Sequence, residues 1–175
     1  MYDAPIMLNR IRDHYASSAW ATTRILDTAE RLDPEQFLAE HAGAGSIRDI
    51  LVHTASAQAV WLGRWRGDAP SKAWDPTAFP DIATLRAAWS TLNDATAEYL
   101  AGIRDADLDQ SVSYVNSAGE TWSYPRWQML LHQVNHATQH RSEVALLLTQ
   151  AGHSPGDLDF LRYFDERVSN GGSVQ

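Results

Sequence analysis

His132, His136 and His140 recur every fourth residue within PRWQMLLHQVNHATQHRSEVALLLTQA, residues 125–151. Side chains four positions apart stack on one face of a helix, so neighbours in this series can point at one object. Neutral imidazole is the commonest metal-ligating side chain, and a helical H-x-x-x-H pair supplies two nitrogens to a single ion. The recurrence of the spacing between apolar turns favours a metal pair over a helix that is merely rich in histidine. His132 with His136 and His136 with His140 fit the spacing equally well. The second pair lies deeper in the helix and on its apolar stripe, which tilts the choice only modestly.

A third ligand has to come from elsewhere in the chain. There is no cysteine, which excludes a thiolate zinc site, a disulfide framework and a cysteine nucleophile. His53 is the best candidate. It lies between Ile50 and Ala57 on the flank of an apolar helix face. Alone it reads as a satisfied core or boundary side chain. With the pair from the later helix it makes three nitrogen ligands and leaves one position open, the pattern of catalytic metals. Zinc, nickel and iron(II) all accept such a set. No residue stands out as a general base.

The elements that must position these histidines are long helices. The chain has 175 residues and a formal net charge of −8, enough length for one packed core and the wrong sign for phosphate contacts. Neither a signal peptide nor a membrane span is legible, so a soluble, cytoplasmic protein is expected. Leu8, Ile11, Tyr15, Ala19, Thr22, Leu26 and Ala29 predict a first helix over residues 6–31. Trp20 lies off that stripe, as if facing a pocket or a neighbouring subunit. Asp33-Pro34-Glu35-Gln36 predicts a capped short turn. Ser46 caps a second helix over residues 47–66 that carries His53 on the flank of the face formed by Ile50, Leu51, Thr54, Gln58, Trp61, Leu62 and Trp65.

A crossover with Pro70, Pro76 and Pro80 leads to Asp81, the cap of a third helix ending near Ile103. Val112, Tyr114, Trp122 and Tyr124 alternate as two short strands around Asn116-Ser117-Ala118-Gly119. Pro125 then opens the histidine-bearing helix and Gly152 closes it. A last short helix is expected over residues 157–164, and residues 169–175 form a tail. The expected architecture is all-α, a single domain over residues 1–168 built as a four-helix bundle with long crossovers. In such bundles, metal sites form in the core from side chains on facing helices.

Gln133-Val134-Asn135-His136-Ala137-Thr138-Gln139-His140-Arg141 resembles the helix-four signature of the DinB/YfiT-like superfamily of metal-binding bundles. Ile50-Leu51-Val52-His53 followed by Trp61-Leu62 is similar to its helix-two ligand motif. Trp20-Ala21, Ser117 to Glu120, Gly152-His153-Ser154-Pro155 and Asp157-Leu158-Asp159 extend the resemblance over nearly the whole chain. The resemblance implies His53, His136 and His140 as metal ligands, an up-up-down-down bundle and a homodimer. Ser142-Glu143 stands where the family usually has Gly-Gln, which puts any role of that glutamine in doubt here.

Family members with an assigned activity use low-molecular-weight thiols, as S-transferases or thiol-dependent isomerases. The resemblance therefore implies a zinc, nickel or iron enzyme acting on a small molecule with a thiol. Arg141, beside a ligand, would orient an anionic cosubstrate or form a surface salt bridge. Trp61 and Trp65 would line an apolar pocket or belong to the core. The competing expectation is a non-catalytic metal-binding stress-response or scaffold protein.

Overall fold

Capping side chains set the element boundaries, and apolar stripes decide how the elements pack. The computed structural model describes residues 6–43, 45–68 and 72–169. The first helix, α1, spans Ile6–Ala29. Asp33 accepts a hydrogen bond from Gln36 N at 2.7 Å, and the Gln36 side chain accepts one from Asp33 N, which nucleates the short α2, Pro34–Leu38. Ser46 Oγ caps α3, Ile47–Arg66, by accepting from Asp49 N. That helix ends at Gly67, whose φ of 78° is a left-handed conformation suited to glycine. Asp81 caps α4, Ile82–Gly102, in the same way through Thr84 N.

Two strands, β1 (Ser111–Val115) and β2 (Thr121–Pro125), pair antiparallel, with Val112 opposite Tyr124 and Tyr114 opposite Trp122. α5, Arg126–Gln150, follows directly. No side chain caps its start. Its first N–H groups instead donate to Gln110 O and Leu108 O, so the turn before β1 fixes where α5 begins. The last helix, α6, is Phe160–Ser169, starting and ending later than the residues 157–164 expected from sequence. Residues 170–175 of the expected tail lie outside the described residues. No described helix is long and apolar enough to cross a membrane.

The fold is mostly helical with one small sheet. α1, α3, α4 and α5 share one apolar cluster, including Ile11, Ile25, Leu51, Leu85, Leu130 and Val144. α5 packs on α1 and α3, and α4 packs on the same two, so α1 lies diagonal to α3 and α4 to α5.

The directions of these helices correct the expected up-up-down-down order. Arg12 on α1 reaches Leu100 O late in α4, whereas Arg86 early in α4 pairs with Asp27 and Glu30 late in α1. Those two helices are antiparallel. Gln58 bonds Asn93 and Thr96 while Tyr99 reaches Trp65 O, which makes α3 and α4 parallel. His53 faces His140 and Trp61 faces His132, so α3 and α5 are antiparallel. Tyr15 bonds Leu130 O and Ser18 meets Arg141, placing α1 parallel to α5. The order is therefore up-down-down-up. The parallel pair arises because residues 72–81 of the connection lie along α3, where Trp74 N donates to Ser56 Oγ.

Trp20 turns out to face this chain's own α6: its Nε1 donates to Glu166 and its ring packs on Tyr163. The α3–α5 seam depends on fully buried residues such as Leu130, at 0% exposure. Leu130→Ala is expected to cost about 2–5 kcal/mol of stability. Urea unfolding with an unchanged m-value would measure it, and a loss below about 1 kcal/mol would show that the site collapses to fill the cavity.

Candidate metal centre

The antiparallel seam between α3 and α5 brings three imidazoles to one level. His136 and His140 are one turn apart on α5, with their Nε2 atoms 3.2 Å from each other. His53 meets them from α3, its ring centroid 5.2 Å from that of His136 and 4.8 Å from that of His140. One nitrogen from each ring lies within 4.8 Å of the others, so the set could hold a metal ion. Two nitrogens at ~2.0–2.1 Å from one tetrahedral ion are ~3.3 Å apart, which the α5 pair already matches. Small rotations of the exposed His53 side chain can close the remaining distance.

The cluster lies at the rim of the bundle and not in its core. His53 is exposed, whereas Val52 and Thr54 on either side of it are each 1% exposed. His136 and His140 are half-buried. Burial, reinforced by neighbouring His140, His53 and His132, lowers the His136 pKa from 6.5 to about 4. Burial also lowers His53, with His140 adding to the effect and Glu143 opposing it. Both imidazoles are therefore neutral at pH 7, the state in which a nitrogen lone pair is available to a cation.

Glu143 is the residue that sequence reasoning passed over. Its Oε2 lies 2.7 Å from His140 Nδ1. A carboxylate on the far nitrogen fixes the tautomer that leaves Nε2 bare. The signal was present as an i, i+3 spacing from His140, the other helical distance at which side chains meet. His136 Nδ1 is buried with no hydrogen-bond partner, so only His140 of the α5 pair has such a support.

His132 stands apart from the three. Its ring is 6.3 Å from that of His136 and packs edge-on against Trp61 at 5.0 Å. There it lines a cavity of about 320 Å³ with Trp61, Tyr114, Tyr124, Gln128 and Met129, one helical turn from His136. Arg64 lies over the Trp61 and Tyr114 rings, at 4.5 and 4.1 Å, and stiffens that wall. Trp65 does not share the cavity; at 3% exposure it is core, packed between Tyr15 and Tyr99. Arg141 also lies away from the cluster. One residue past His140 is a turn of ~100° around the helix, and its guanidinium reaches Ser18 on α1. A larger groove of about 640 Å³ between α1 and α4 contains none of the clustered histidines.

A model of the DinB family matches residues 7–170 of this chain. No curated protein matches it. Among solved structures, a DinB-like protein from Bacillus cereus superposes with a TM-score of 0.64 at 20% identity, covering 82% of this chain and 94% of its own. A conserved protein from Enterococcus faecalis gives a TM-score of 0.60 at 12% identity, with 77% and 92% covered. At these identities the likeness extends to the fold.

Neutral, desolvated imidazoles give the metal-free protein a definite acid response. With His136 near 4 in the folded chain and 6.5 as its ordinary value, the unfolded state binds more protons between those limits. Stability is fully present above about pH 6.5 and declines as the pH falls towards about 4. Urea midpoints across that window should show the decline in the metal-free protein, and His136→Gln should flatten it. A variant with the same pH slope as the parent would assign the effect to other groups.

Proposed function

The chain belongs to the DinB family, and from that premise we propose that it is a metal-dependent enzyme using His53, His136 and His140 to hold a divalent ion. The observation that carries this reading is the convergence of three imidazole nitrogens within 4.8 Å at the open edge of the bundle. Three ligands with a fourth position open to solvent suit a catalytic ion; structural sites are normally closed by four. A bound zinc, nickel or iron(II) ion would supply Lewis-acid activation of a thiol or water.

The chain's own residues do the rest. Glu143 holds the proton on His140 Nδ1 and orients that ring. His136 contributes a neutral nitrogen from a desolvated position. The aromatic cavity of Trp61, Tyr114 and Tyr124, with His132 on its wall, takes the apolar part of a small-molecule substrate beside the reacting centre. The reaction proposed is S-transfer or isomerisation dependent on a low-molecular-weight thiol. This reading takes the protein to be a cytoplasmic homodimer, with neither nucleic acid nor membrane as partner, in keeping with its net charge of −8.

A non-catalytic metal-stabilised scaffold is the second reading. The apolar cluster weighs against it, since Leu51, Leu130 and Val144, each at 0% exposure, pack without help from the rim. Chelation separates the two. An enzyme keeps its helical circular dichroism when stripped and regains thiol-dependent turnover of an electrophile when metal returns. A scaffold unfolds when stripped.

Metal analysis tests the ligand set. His53→Ala, His136→Ala and His140→Ala should each abolish stoichiometric binding, while His132→Ala retains it. Glu143→Gln should keep the metal with about 10–100-fold weaker affinity. Full occupancy in both His136→Ala and His140→Ala would remove the α5 pair from the site, and a metal-free His132→Ala would bring His132 into it.

A further inference from the structure

Arg141 is a buried cation with no anionic partner among the described residues. It is 6% exposed, and a guanidinium stays protonated in proteins. Nη1 donates to Ser18 Oγ at 2.7 Å and Nη2 to Thr138 Oγ1 at 2.8 Å. A guanidinium has five N–H donors. Two are used by hydroxyls, and among the described residues no carboxylate lies within ion-pair distance of it. Two neutral hydroxyls offset only part of the cost of holding a full charge out of water.

The guanidinium borders a cavity of about 540 Å³ between α1, α5 and the segment leading into α6. This cavity is on the side of α5 turned away from His136 and His140. Val134, Leu131, Leu158 and Phe160 give it apolar walls, and Asn135 and Ser142 add neutral polar groups. His14 stacks on Phe160 with ring centroids 4.4 Å apart. Asp159 also lines the cavity, but its side chain is exposed, where water screens its charge.

We infer that this cavity is a binding site for a small organic carboxylate with an apolar body, whose carboxylate pairs with Arg141. A planar carboxylate matches the guanidinium fork, and the apolar walls accept the rest of the molecule. A single buried guanidinium supplies one positive charge, which suits a monoanion better than the dianion of a phosphate. The site is separate from the histidine cluster and does not depend on whether that cluster binds metal.

Benzoate, with inorganic phosphate as the second probe, tests the inference by calorimetric titration of the full chain at low salt. Saturable one-to-one binding of benzoate in preference to phosphate is expected. Arg141→Gln should weaken it by about ten-fold or more. That substitution also removes a tie between α1 and α5. Asn135→Trp, which fills the mouth from an exposed position and leaves Arg141 in place, should block benzoate by itself. His136→Ala should leave binding unchanged. Failure of benzoate to bind saturably, or binding that Asn135→Trp leaves intact, would overturn the site. Loss of binding in His136→Ala would move the anion to the histidine cluster, and preference for phosphate would overturn the carboxylate assignment.

Discussion

The antiparallel contact between α3 and α5 is the constraint on which the rest depends. His53 and His136 are 83 positions apart in sequence, and only a fixed register between two rigid helices can bring their rings to 5.2 Å. Apolar side chains set that register. Leu51, Ala55 and Leu62 on α3 and Met129, Leu130 and Val144 on α5 are all under 5% exposed. Close-packed interiors resist sliding, because a shift along the seam would open voids at several positions together. The imidazoles are thus carried to their meeting point by residues that do no chemistry.

α5 carries polar groups on two sides, which is unusual for a central bundle helix. One side presents His136 and His140 to α3; the other presents Arg141 towards α1. Each side needs its own compensation. Glu143 satisfies His140, and hydroxyls from Ser18 and Thr138 take two of the Arg141 donors. Because a helix rotates by ~100° per residue, adjacent positions 140 and 141 serve different surfaces of the fold. Sequence adjacency therefore misleads about Arg141, whereas a spacing of three correctly pairs His140 with Glu143.

Much of the fold was legible where local physics decides it. The caps at Asp33, Ser46 and Asp81, the glycine just beyond α5, and the alternation of Val112, Tyr114, Trp122 and Tyr124 depend on neighbouring residues alone. Helix direction was not legible in this way. Connection length indicates that a crossover exists, but the pair made parallel depends on where residues 72–81 lie, and the bond from Trp74 to Ser56 fixes that across eighteen residues. Which two α5 histidines would cluster was likewise ambiguous by spacing. Contact with α3 separates them in space, since His132 meets Trp61 while His136 and His140 meet His53. Trp20 shows the same limit: an aromatic off the main stripe has a partner, but nothing local says that the partner is α6.

The position of the cluster at the rim bears on what it can do. A core site would surround any ion with protein and make its removal expensive for the fold. At the rim, His53 is exposed and the apolar cluster closes beneath it without polar help. The desolvation cost of assembling the site falls on His136 and, in the same direction, on His53. That cost is present before any ion arrives, so the neutral nitrogens of His53 and His136 would be available to one. Preorganisation of this kind, with one side left to solvent and an aromatic cavity one turn away, is more useful for exchanging ligands than for tying helices together.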